Sequence, residues 1–165
     1  MNKSTIIILV VGIIALLLGL MWLGQSATRQ ANNQTGSAES PLTSDEKLFD
    51  FGTISMANGN VSREFKITNS SDKSVNIRKI STSCMCTSVL FKSDQKTYGP
   101  FKMEGMGSLT SANITLNPGD TAVAEAVYDP NAHGPAGVGP IDRFVYIQDA
   151  SGGRLELEIK ALVTP

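Results

Sequence analysis

The chain of 165 residues contains a single histidine and only two cysteines. One imidazole excludes any site built from several histidines, and two thiols exclude a disulfide-rich scaffold. Aromatic residues are sparse at 6%, and charged residues reach only 18%, low for a soluble protein. Charge of neither sign dominates, because 14 basic residues face 15 acidic ones. That balance leaves no basic footprint for nucleic acid. Gly105–Gly107 and Gly134–Gly139 do not sit between a strand and a helix, so neither reads as a phosphate cradle. A nucleophile elbow is also lacking. These absences predict a protein that is not an enzyme and has no identifiable small-molecule substrate.

The first feature that is present is an uncharged apolar run, Ile6–Leu23. At about 1.5 Å per residue a helix over it spans roughly 27 Å, close to the hydrocarbon thickness of a bilayer. Lys3 precedes the run without an acidic neighbour, and Arg29 is the first charge after it. The positive-inside rule then predicts residues 1–5 as a cytoplasmic tip, Ile6 to Leu23 as a transmembrane anchor, and the remainder outside the cytoplasm. Trp22 suits the outer interface. The competing reading is a cleaved signal peptide, whose apolar region is normally about 7–15 residues and so shorter than this one. Both readings export the rest of the chain.

Residues 24–44 are rich in Ser, Thr, Asn, Gln and Gly, with Pro41 near the end. So little apolar surface cannot offset the entropy of ordering, and a flexible linker is expected. From residue 45 to residue 165 the pattern changes to strands. Val61–Ile67 alternates, with Phe65 and Ile67 on one face and Glu64 and Lys66 on the other. Val75 and Ile77 share a face, as do Val145 and Ile147. Leu155, Leu157, Ile159, Ala161 and Val163 alternate with Glu156, Glu158 and Lys160. Asn69–Lys73, Asn117–Asp120 and Ala150–Gly153 are turns by composition. Seven to eight short strands at this spacing predict an all-β fold, an immunoglobulin-like antiparallel β-sandwich preceded by one N-terminal transmembrane helix. Its expected core comprises Phe51, Phe65, Ile67, Val75, Ile77, Val145, Leu157 and Ile159.

Five pieces occur in order: Phe49-Asp50-Phe51-Gly52-Thr53-Ile54, Phe65–Asn69, Ile80–Thr87 with Cys84-Met85-Cys86-Thr87, Leu116–Asp120, and Tyr128-Asp129-Pro130. Together they resemble the bacterial family known as domain of unknown function 1573, an immunoglobulin-like domain akin to the Hydin type. The resemblance covers roughly Phe49 to Val163. It implies an exported or membrane-tethered sandwich of seven strands, without an established activity. The family's Cys-Gly-Cys-Thr stands here as Cys84-Met85-Cys86-Thr87, and an insert over about Lys92–Ala112 replaces a short family loop.

Chemistry gathers around the two cysteines. Side chains at i and i+2 of an extended segment share a face, and their Cα atoms stand about 6.6 Å apart, near the upper limit for a disulfide. A bond between them would be strained and easily reduced, which suits thiol exchange. In a loop, both thiolates can grip one soft metal. The plain alternative is a pair of buried thiols without a role. Composition adds Met103 and Met106 in a glycine-rich insert and His133 in a Gly/Pro loop. Thiolate and thioether ligands together select Cu(I). The candidate metal site is therefore Cys84, Cys86, Met103, Met106 and His133, with Cu(I) as the candidate ion. Two classes of function follow: a membrane-tethered binding or assembly module that contacts an envelope protein, and an exported copper-binding or thiol-redox protein.

Overall fold

Alternation of apolar and polar residues builds strands, and burying their apolar faces requires two sheets to close on each other. The computed structural model describes Gly12, residues 40–105 and residues 109–165. Among the described residues there are ten strands: β1 Leu42–Ser44, β2 Leu48–Ser55, β3 Val61–Asn69, β4 Val75–Thr82, β5 Thr87–Ser93, β6 Lys96–Phe101, β7 Ser111–Leu116, β8 Thr121–Tyr128, β9 Gly139–Asp149 and β10 Arg154–Thr164. One sheet has the order β1-β3-β8-β5-β6 and the other β2-β10-β9-β4-β7. Both have five strands, and they form an all-β sandwich.

The core lies between the sheets. Phe65, Ile67, Val75, Ile77, Val145, Leu157 and Ile159 are buried as expected. Phe51 departs from expectation and is only half-buried. It lies on β2, an edge strand, and packs edge-to-face on Phe49 with ring centroids 4.9 Å apart. Size complementarity across the other sheet is explicit. Ala124 of β8 is opposite Phe65 of β3 on one side and Phe91 of β5 on the other. All three are buried, so the methyl side chain leaves room for the two rings.

Four expectations need correction. Ten strands replace seven to eight. The end of the segment read as a linker, 24–44, is folded, because Leu42 buries its side chain and β1 pairs with β3. Nearby, Ser40 donates to the Asp149 carboxylate at 2.8 Å. The insert over Lys92–Ala112 contains β6, which pairs with β5 through a two-residue turn at Asp94 and Gln95, both at positive φ. The sandwich is also not wholly antiparallel, since β2 pairs with β10 in parallel. Among the described residues, no helix is long and apolar enough to cross a membrane. The expected span Ile6–Leu23 falls, except for Gly12, outside the described residues.

Asp149 organises the β9–β10 turn. Its carboxylate accepts from the backbone N–H of Ser151 and Gly153, each at 2.9 Å, and from Ser40. Burial alone would raise its pKa, but these donors outweigh burial and hold the carboxyl below its usual value. A Cβ on Gly153 would come within 2.8 Å of Ser40 Cα, so glycine is required there.

Replacing Phe65 with Ala is expected to cost about 3–5 kcal/mol, because the ring leaves a cavity beside Ala124. Ala124→Leu should cost about 1–3 kcal/mol by overpacking the same site. Chemical denaturation of both variants checks this, and near-neutral effects at both positions would refute the packing.

Candidate thiol and imidazole site

Two neighbouring crossovers between the sheets build the site. Residues 83–86 connect β4 of one sheet to β5 of the other, and residues 129–138 return from β8 to β9. Strand β5 lies beside β8, and β4 beside β9. The two crossovers therefore run side by side at one end of the sandwich. Pairing of Thr87 with Tyr128 fixes where the first crossover ends and the second begins. One residue beyond that pair, the Asp129 N–H donates to the Cys86 carbonyl at 2.9 Å.

The cysteine turn is held from both sides. Thr82 Oγ1 donates to the Cys84 carbonyl at 2.8 Å, and the Thr87 N–H donates to the same carbonyl at 3.2 Å. Ser83 and Phe144 of β9 exchange two bonds: the Ser83 N–H donates to the Phe144 carbonyl, and the Phe144 N–H donates to Ser83 Oγ, each at 2.9 Å. The opposite crossover is stapled by Asn131, whose Nδ2 donates to the Met56 carbonyl at 2.8 Å and whose N–H donates to Asp129 Oδ1 at 2.8 Å. His133 precedes the short 3-10 helix Gly134–Gly137. A Cβ on Gly137 would lie 3.5 Å from His133 Cβ and 3.2 Å from the Pro130 carbonyl, so the small residue lets this turn close tightly.

The result is a cluster of three. The Cys84 and Cys86 sulfurs and a His133 ring nitrogen lie within 4.8 Å of one another. Cys84 Sγ is 3.2 Å from His133 Nε2. Both cysteines are free thiols; Cys86 is buried, Cys84 half-buried and His133 exposed. Arg143 of β9 completes the surroundings, its Nε donating to Cys86 Sγ at 3.2 Å.

The five expected site residues fare differently. Cys84, Cys86 and His133 are brought together. Met103 follows β6, and the next residue, Glu104, pairs with Lys79 in β4. Met106 falls outside the described residues. Arg143 escaped the sequence reading, although a signal was available. It shares the strand phase of Ile141, Val145 and Ile147, and an arginine on the buried face of a strand needs a partner.

Electrostatics separate the two thiols. Burial alone would raise the Cys84 pKa. Hydrogen bonds from the Cys86 thiol and Cys86 N–H, contact with His133 and the charge of Arg143 outweigh it and lower the value from 9.0 to about 7. Burial and the neighbouring Cys84 push the Cys86 thiol up, despite Arg143 and Thr87. Two interacting thiols titrate as a pair, so the pair gives up one proton near neutrality and resists losing the second. Buried Tyr128 stays protonated, its pKa raised by burial and by the cysteine charge.

The reduced, metal-free protein should therefore be alkylated by iodoacetamide at one thiol first. That rate should fall as pH drops through about 7, where Cys84 takes up its proton. His133→Ala should move the midpoint upward. Mass-spectrometric rate profiles check both expectations, and a wild-type midpoint at the ordinary cysteine value would show that the thiolate is not held.

Residues 42–102 match the family model described as "Protein of unknown function (DUF1573)". Comparison with curated protein sequences finds no match. Among solved structures, a protein of unknown function from Porphyromonas gingivalis W83 is similar at TM-score 0.53 and 13% identity, covering 78% of this chain and 49% of that one. The secreted serine protease VesC from Vibrio cholerae gives TM-score 0.47 and 11% identity, over 81% of this chain and 25% of that one. A PapD-like domain of human CEP192 gives TM-score 0.45 and 12% identity, over 79% and 92%. The chain thus spans about half the length of the Porphyromonas protein and a quarter of the Vibrio one. At such identities the first likeness is one of fold alone. The Cys84-Met85-Cys86-Thr87 turn lies inside the segment, residues 42–102, that matches this family model.

Proposed function

We propose that this protein is an extracytoplasmic binding module, tethered by Ile6–Leu23, whose ligand is Cu(I) held by Cys84, Cys86 and His133. The observation that carries this reading is the convergence of two sulfurs and one imidazole nitrogen within 4.8 Å. Ligand atoms about 2.0–2.3 Å from one metal centre stand roughly 3.5–4 Å apart when three of them surround it, so only small adjustments are needed. Thiolate sulfur favours soft ions. Among the described residues, no other His, Cys, Asp or Glu joins the three. A closed structural zinc site would need a fourth protein ligand, and no further described His, Cys, Asp or Glu supplies one, whereas thiolate sulfur accommodates Cu(I). The site is open at Cys84 and His133, which leaves a path for an ion to enter and leave.

Titration of the full chain, reduced and in mild detergent, against a chromophoric Cu(I) chelator tests this reading. One Cu(I) per chain is expected. Cys84→Ser combined with Cys86→Ser should abolish binding, and His133→Ala should weaken it at least about tenfold, the loss that even supporting residues of a metal site produce. Affinity should fall with decreasing pH, because protons compete for the thiolates. Equal competition by the wild type and the double variant would refute the site. A wild type that instead forms a Cys84–Cys86 disulfide with an added small-molecule disulfide, and takes up no copper, would favour thiol exchange.

Tethering is supported by the uncharged run behind Lys3. A phosphatase fused after Pro165 should be active only when that end is outside the cytoplasm. Activity of a cytoplasm-dependent reporter at the same position would reverse the topology.

A further inference from the structure

Arg143 stands out because, among the described residues, its guanidinium forms no ion pair with a carboxylate. Its strand phase is that of Ile141, Val145 and Ile147, all buried, so the guanidinium is drawn toward the sandwich rather than into solvent. Nε donates to the sulfur of buried Cys86 at 3.2 Å, and Nη1 donates to the Asp142 backbone carbonyl at 2.9 Å. None of the ion pairs among the described residues includes it. The neighbouring carboxylates are engaged elsewhere. Asp142 faces Lys160 at 3.8 Å, and Glu158 binds the same lysine at 2.8 Å. A guanidinium is always charged in a protein. Among the described residues, the acidic side chain that its guanidinium hydrogen-bonds is the Cys86 thiol.

We propose that Arg143 is a specificity-determining residue that biases the Cys84–Cys86–His133 site toward a monovalent ion and against a divalent one. The inference rests on the metal-binding reading above. Charge counting supplies the reason. Two thiolates contribute two negative charges, neutral His133 none, and Arg143 one positive charge. A monovalent ion brings the site to neutrality. A divalent ion leaves one surplus positive charge beside a buried sulfur, where the effective dielectric constant is well below that of water. Without the arginine the preference inverts, since a divalent ion would then be the neutralising one. Softness of sulfur alone does not separate Cu(I) from zinc. The arginine adds a discrimination that the three ligand atoms lack.

The test compares the full-length wild type with Arg143→Gln and Arg143→Lys, measuring affinity for Cu(I) and for Zn(II) against a chromophoric chelator of each. Arg143→Gln should lower the ratio of Cu(I) to Zn(II) affinity by about 10- to 100-fold, the size expected for one unit charge at about 6 Å with an effective dielectric constant near 20, reduced by screening. Arg143→Lys keeps the charge and should hold the ratio within about threefold of wild type, which separates charge from shape. Arg143→Met, which preserves an aliphatic stem, provides the same measurement if Gln loosens β9, with circular dichroism to confirm folding. A ratio unchanged in folded Gln or Met variants, even with both affinities reduced, would overturn this role and leave the copper site standing. A wild type that binds neither ion would overturn the metal-binding reading itself.

Discussion

The pairing of Thr87 with Tyr128 determines how the sandwich end is organised. This pair joins β5 to β8 at the position where one crossover enters its strand and the other leaves. Both chains cross to the opposite sheet there, and the Asp129-to-Cys86 hydrogen bond continues the ladder one step into the crossovers. A register shift by one residue would reverse the side chains of a whole strand and separate the sulfurs from the imidazole. Burial of Phe65, Phe91 and Tyr128 prevents that shift, because each would be moved to the solvent face. The core thus holds the site through register, and Cys86 is itself part of that core.

On the opposite sheet, β4 and β9 perform the matching task. Thr82 pairs with Val145, and the two Ser83–Phe144 bonds carry the association past the ladder. Arg143 then sits one residue further along β9, beside Cys86. Sulfurs come from one crossover, the imidazole from the other, and the guanidinium from the strand that receives the second. Convergence of groups from separate chain segments is what allows opposing effects on the thiols. Burial disfavours thiolate, while His133, Arg143 and the backbone favour it at Cys84. The outcome is a Cys84 pKa lowered to about 7 beside a Cys86 thiol pushed up.

Strands with strict alternation and a wet outer face were legible in the residues, as at Val61–Ile67 and Leu155–Val163. Their period of two has no helical competitor. Legibility failed where this pattern was too short or absent. Strand β1 has three residues, and only Leu42 is buried. In β6, Gly99 and Pro100 interrupt any alternation, and the Asp94-Gln95 turn lacks the usual glycine. Parallel pairing of β2 with β10 joins segments at opposite ends of the domain, and nothing local marks it. The half-burial of Phe51 has the same origin, because alternation marks a face and does not distinguish an edge strand from a central one.

For the site, the residue types alone named the soft-ligand chemistry. Two thiols at i and i+2 and the sole imidazole restrict what can be bound, whatever the fold. The sequence by itself also determined the all-β class, because the period of polarity is a local property written into each segment. Tertiary structure brought Cys84, Cys86 and His133 together, and it added Arg143. That convergence could not be local. Cys86 and Arg143 are 57 residues apart, and Cys84 and His133 are 49 apart. Their proximity depends on which strands neighbour each other at one end of the sandwich, and on the register that the packed core imposes on them.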